Sequence, residues 1–136
     1  MSFKIADLVY AIPDGTPVRI KVVDDGYFHI QINHKINLEK DENDAETFRL
    51  VKKGKNKLAL LSEDGKYLTA YKGCVTENAE APFRQQTFSI EGSTLKNVIL
   101  YSKFLGYYLS YDDEGDISFS SDVPNKAVHV SIIKIY

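Results

Sequence analysis

The chain has no tryptophan, one cysteine and one methionine in 136 residues. A lone Cys74 excludes an intramolecular disulfide framework. With no histidine near it in sequence, Cys74 reads as a small strand hydrophobe rather than a nucleophile. Histidine is scarce too: His29, His34 and His129 are too few for a clustered pH switch. No Cys/His spacing fits a zinc motif, so neither a metal nor a cofactor is expected. Charge of neither sign dominates: 17 Lys and Arg stand against 19 Asp and Glu, for a net charge of −2. That balance argues against a nucleic-acid partner. No stretch is long and apolar enough to span a bilayer, and the start from Met1 to Asp7 lacks the apolar run of a secretory signal. The expectation is a cytoplasmic protein. Phosphate-cradling glycine loops, nucleophile elbows and paired-histidine motifs are also missing, which points to a non-enzymatic binding module.

What the chain does contain is a repeat. Gly65-Lys66-Tyr67-Leu68-Thr69-Ala70 is followed by Cys74-Val75, Pro82 and Phe88-Ser89-Ile90. The same phrase returns as Gly106-Tyr107-Tyr108-Leu109-Ser110-Tyr111, then Asp116-Ile117, Pro124 and Val128-His129-Val130. A fainter copy runs from Phe28 through Ile36 to Phe48. Leu68 to Phe88 and Phe28 to Phe48 each span 20 residues, and Leu109 to Val128 spans 19. A period of about 40 residues marks one supersecondary unit built several times. Within each unit, apolar residues alternate with polar ones: Val18, Ile20 and Val22; Leu58 and Leu60; Val98 and Leu100. Asp24-Asp25-Gly26, Glu63-Asp64-Gly65 and Asp113-Glu114-Gly115 carry hairpin-turn chemistry.

Four short strands in each of three units predict an all-β fold, a β-trefoil of three four-stranded pseudo-repeats. One unit cannot bury its apolar face, whereas three around a common axis close a barrel and share a core. The last strand, Val130 to Tyr136, is too apolar to serve as the exposed cap of an open solenoid. The prediction is one domain over 1–136, with repeats at about 17–52, 56–92 and 97–133, and residues 1–16 as an N-terminal extension or first strand. Phe28, Leu68 and Leu109 are expected as one symmetric core layer, and Ile36, Val75 and Ile117 as another.

The phrase Gly-x-Tyr-Leu-Ser/Thr, followed by Gly-x-Val/Ile, a proline and a Phe-led strand, resembles the repeat of the fascin and hisactophilin actin-binding trefoils. The stretch from Leu58 to Ala70 carries it best, within a match over roughly 57–132. The resemblance implies a cytoskeletal role with an actin-like protein partner. The chain departs from hisactophilin-like sequences in its three histidines, and from fascin proper in holding one such module rather than several.

Two residue sets are candidate sites. Lys52, Lys53, Lys55 and Lys57 put four positive charges in six residues of a net-negative chain. Such density attracts an acidic protein surface and, more weakly, an anionic membrane. The ordinary alternative is a polar turn. Tyrosine is the other excess, with nine in the chain. Tyr71 and Tyr111 read as matching places in repeats two and three, with Gln31 or Ile32 in the first. With Asp112 and Asp113 they make a candidate glycan site, by ring stacking and hydroxyl recognition. Strands recruit tyrosine readily, so packing at the barrel edge competes with that reading. Gln86-Thr87-Phe88 is a faint echo of the Gln-x-Trp phrase of ricin-type lectins, without equivalents elsewhere. A trefoil protease inhibitor is a third role, with no residue signature of its own.

Overall fold

A computed structural model describes residues 6–70 and 74–135 of the chain. Among them it forms twelve strands: β1 (Thr16–Val22), β2 (Tyr27–Ile30), β3 (Ile36–Glu39), β4 (Phe48–Gly54), β5 (Lys57–Ser62), β6 (Lys66–Ala70), β7 (Cys74–Asn78), β8 (Phe88–Thr94), β9 (Asn97–Ser102), β10 (Tyr107–Tyr111), β11 (Ile117–Ser121) and β12 (Val130–Lys134). Short 3-10 turns at Glu42–Asp44, Arg84–Gln86 and Pro124–Lys126 precede β4, β8 and β12. Period-two alternation explains the strands. In β1, Val18, Ile20 and Val22 are buried, while Arg19 and Lys21 between them are only half-buried.

Six strands close a ring. β1 pairs with β4, β4 with β5, β5 with β8, β8 with β9, β9 with β12, and β12 with β1, every pair antiparallel. Closure removes the unpaired edges that an open sheet of such strands would present. The other six strands form the hairpins β2–β3, β6–β7 and β10–β11. Strands β3, β7 and β11 touch one another, so the three hairpins converge over one end of the barrel.

Register fixes the core layers. Phe28, Leu68 and Leu109 are fully buried and face Leu38, Thr76 and Phe119 across their hairpins. The second layer differs from expectation at one place. Ile36 pairs with Ile30, Cys74 with Ala70, and Ile117 with Tyr111. Cys74 therefore stands with Ile36 and Ile117, all three buried, and Val75 is only half-buried. One step along a strand turns a side chain to the opposite face, so the predicted Val75 sits one residue out of phase.

The third closing strand is also displaced from its predicted anchor. Val130 pairs with Val98 as Phe48 pairs with Val18 and Phe88 with Leu58. Val128 lies in the preceding connection, where its N–H donates to the Leu109 carbonyl at 3.0 Å, as Glu46 N–H does to Phe28 at 2.9 Å. The third interval thus runs from Leu109 to Val130. Apolar alternation continues unbroken through Val128, Val130 and Ile132, so spacing alone did not mark where pairing begins.

The N-terminal segment seals the barrel from outside the repeats. Val9 and Ile12 are buried in the core cluster. Asn56, in the β4–β5 turn, holds the segment in place. Its Oδ1 accepts from Leu8 N–H (2.7 Å), its Nδ2 donates to the Ala6 carbonyl (2.8 Å), and its own N–H donates to the Asp7 carboxylate (3.1 Å). Asn56 adopts a left-handed φ of 52°, which asparagine tolerates better than most residues. In the β1–β2 turn Asp24, rather than Gly26, takes the left-handed conformation, with φ 63°. Gly26 is needed for close approach: a Cβ there would stand 2.8 Å from the Glu39 carbonyl oxygen.

Candidate functional site

The four lysines of the predicted basic cluster fall on the β4–β5 hairpin, and they do not act alike. Lys52 is drawn back to the N-terminal segment. Its ammonium donates to the Tyr10 carbonyl at 2.9 Å, and its N–H donates to the Asp14 carboxylate at 2.8 Å. Lys53, Lys55 and Lys57 are exposed. Lys55 stands in the turn, while Lys53 and Lys57 border a groove of about 440 Å³.

Three separate parts of the chain build that groove. The hairpin supplies Lys53 and Lys57; the connection between β7 and β8 supplies Pro82, Phe83 and Arg84; the β9–β10 turn supplies Lys103 and Phe104. No carboxylate lines it among the described residues. Phe83 is 59% exposed and Phe104 42%, an unusual outlay of phenyl surface in a chain whose Phe28, Phe48 and Phe88 are fully buried. The connection that carries Phe83 is held in shape. Phe83 N–H donates to Gln86 Oε1 (3.0 Å), and the Thr87 hydroxyl donates to the Phe83 carbonyl (2.9 Å). Buried Gln86 also donates from Nε2 to Thr69 Oγ1 at 3.2 Å, so the faint lectin-like Gln86 is a brace of the fold. Sequence reasoning found Lys53 and Lys57 and missed Arg84, Lys103, Phe83 and Phe104. Their one local signal was a phenylalanine in a turn, outside any alternating strand.

The second predicted set is only partly assembled. Tyr71 lies outside the described residues. Register pairs Tyr111 with Ile117 as Ala70 pairs with Cys74 and Ile30 with Ile36. The counterparts of Tyr111 are therefore Ala70 and Ile30, not Tyr71 and Gln31 or Ile32. The Tyr111 hydroxyl donates to the Asp25 carboxylate, tying the end of β10 to the β1–β2 turn. Burial first, and then that carboxylate, push the Tyr111 hydroxyl up to about 12. Asp112 accepts from Glu114 and Asp116 N–H, both at 2.9 Å, and so closes its own turn. Asp113 is exposed beside it.

The remaining titratable candidates are dispersed. His29 donates from Nδ1 to Asn37 Oδ1 at 2.8 Å, and His129 from Nδ1 to Asn97 Oδ1 at 2.6 Å. Among the described residues no three His, Cys, Asp or Glu side chains converge as a metal would require. Cys74 is buried, and desolvation drives its thiol far above the ordinary range, as expected of an inert core residue.

The family model of the Fascin domain matches residues 23–129. The chain belongs to the fascin-domain family. No curated protein sequence matches it significantly. The fascin-domain match takes in the basic hairpin, both exposed phenylalanines and Tyr111, and leaves out β1 and β12, which complete the barrel ring. The segment that carries Val9 and Ile12 also lies outside it. No helix among the described residues is long and apolar enough to cross a membrane.

Proposed function

We propose that this fascin domain is a β-trefoil binding module of the cytoplasm that attaches to an actin-like protein partner and carries out no catalysis. A barrel of six strands capped by three hairpins supports the trefoil reading. So does the repeated register of Val18, Leu58 and Val98 against Phe48, Phe88 and Val130. The single core cluster from Val9 to Ile132 supports one domain with units at about 17–52, 56–92 and 97–133.

One observation carries the partner: Lys53, Lys55 and Lys57 stand exposed on one hairpin of a chain with net charge −2. Local positive potential of this kind steers association with acidic surfaces and weakens as salt screens it. Co-sedimentation with actin filaments tests the reading. The intact chain should pellet with filaments, and replacing Lys52, Lys53, Lys55 and Lys57 together by Gln should weaken pelleting and flatten its salt dependence. Undiminished pelleting of that variant would remove the hairpin from the mechanism. A glycan-binding module is the second reading, favoured by the 42% exposure of Tyr111 next to exposed Asp113. An array of glycans with no hits for the intact chain closes it.

A further inference from the structure

A groove lies between the β4–β5 hairpin, the β7–β8 connection and the β9–β10 turn. Its two phenyl rings are exposed where the other described phenylalanines are buried. Every charged side chain that lines it among the described residues is cationic: Lys53, Lys57, Arg84 and Lys103. A net-negative protein that gathers four cations from three separate parts of the chain around an apolar floor has concentrated charge that its overall composition does not supply.

We propose that this groove is the docking site for an acidic linear protein segment that presents one aromatic or large aliphatic side chain between its carboxylates. Two features select that occupant. The first is volume. About 440 Å³ accommodates one or two side chains, so the apolar contribution comes from a single anchor seated between Phe83 and Phe104. The second is the spread of charge. The four cations come from three elements of the chain. That arrangement suits several carboxylates along an extended chain. The site is also pre-shaped. Gln86 and Thr87 lock the backbone of Phe83, and Ser102 Oγ accepts from Leu105 N–H at 3.2 Å next to Phe104. Little ordering is left to be done on binding. This inference rests on the reading of the chain as a protein-binding module, and it names the surface and the chemistry of the partner.

The test uses the full chain and a labelled synthetic peptide, Glu-Asp-Glu-Phe-Asp-Glu, against its Phe→Ala counterpart, by fluorescence anisotropy at two salt concentrations. The Phe peptide should bind, bind more weakly as salt rises, and lose about tenfold or more in affinity when its anchor is Ala. Phe83→Ser with Phe104→Ser should cause a comparable loss with an unchanged melting temperature, since both rings are exposed. Arg84→Glu with Lys103→Glu should abolish binding. Equal binding of the two peptides overturns the anchor, as does a double-serine variant that binds like the parent. Association with vesicles of phosphatidylserine and phosphatidylcholine without binding of either peptide also overturns the proposal, by making the patch a membrane contact. Filament co-sedimentation of the same variants separates the two readings. Pelleting that survives both groove variants, with no peptide binding, sinks the groove and leaves the actin reading standing. Peptide binding by a chain that never pellets does the reverse.

Discussion

The hairpins β4–β5 and β8–β9 have the same construction and different surfaces. Lys52 pairs with Leu58 as Gly92 pairs with Val98, and Gly54 pairs with Lys57 as Thr94 pairs with Asn97. Each hairpin has its register shift at the same place, between Lys52 and Gly54 in one and between Gly92 and Thr94 in the other. Facing inward, Leu60 and Leu100 are equally buried. Facing outward, the first hairpin runs Lys52-Lys53-Gly54-Lys55-Asn56-Lys57 and the second Gly92-Ser93-Thr94-Leu95-Lys96-Asn97. Four lysines stand where the other hairpin has one. The strand geometry is satisfied by both sequences, so it does not demand the charge. What the barrel requires is the shared apolar pattern; apart from Lys52, which is drawn to Tyr10, the lysines are free to serve something else.

The largest expected effect tests what the two hairpins share. Leu60→Ala and Leu100→Ala should each cost about 2–5 kcal/mol, because each removes fully packed methyl groups from the barrel interior. Urea denaturation of the two variants should give matching losses. A twofold disparity would show that the positions are not equivalent in packing.

The next prediction separates the turns. Asn56→Ala removes the two side-chain hydrogen bonds to Leu8 and Ala6 and places alanine at a left-handed φ. It should cost about 2–4 kcal/mol and loosen the cover provided by Val9 and Ile12. Hydrogen exchange should quicken around Leu8 to Ile12. Lys96→Ala in the other turn should stay within about 0.5 kcal/mol of the parent.

Charge sharpens the comparison with a smaller effect on stability and a larger one on binding. Lys53→Gln with Lys57→Gln should weaken filament co-sedimentation, whereas Lys96→Gln should not. Lys52→Gln alone should do less to binding than Lys53→Gln, because the Lys52 ammonium already donates to Tyr10.

The smallest effect lies on a third hairpin and gauges the cost of a half-exposed tie. Tyr111 titrates near 12 in the folded chain, against about 10 when unfolded. Its folded value is raised, so its contribution is fully present below pH 10. It fades as pH climbs through 12, where the phenolate loses its bond to Asp25 and faces that carboxylate as a like charge. Melting curves between pH 9 and 12 should show a steeper decline for the parent than for Tyr111→Phe. Identical slopes would mean that the bond to Asp25 contributes nothing. Tyr111→Ala should lower the melting temperature modestly, and on the glycan reading it should also abolish sugar binding.

Much of the fold was legible from side-chain spacing. Burial selects for apolar residues at period two, and Phe28, Leu68 and Leu109 recur because equivalent places in a shared core need similar volume. Spacing failed where a change of one residue left the pattern intact. Val75 and Cys74 are neighbours of similar apolar character, and only strand pairing decides which of them faces inward. Val128 continues the alternation of Val130 and Ile132 although it precedes the ladder. The N-terminal segment was illegible for another reason: it belongs to no repeat, and its attachment runs through Asn56, nearly fifty residues away.

By itself the sequence determined an all-β chain of repeated hairpins, a near-neutral balance of charge and a run of lysines in one turn, because composition and periodicity are local properties. Tertiary structure alone decided which of those lysines are available and what stands next to them. Lys52 is drawn to Tyr10, while Lys53 and Lys57 meet Arg84, Lys103, Phe83 and Phe104 across a groove. Barrel closure sets those neighbours side by side. Residues separated by some fifty positions become adjacent only when six strands join into a ring, and no local pattern records which loops that ring brings together.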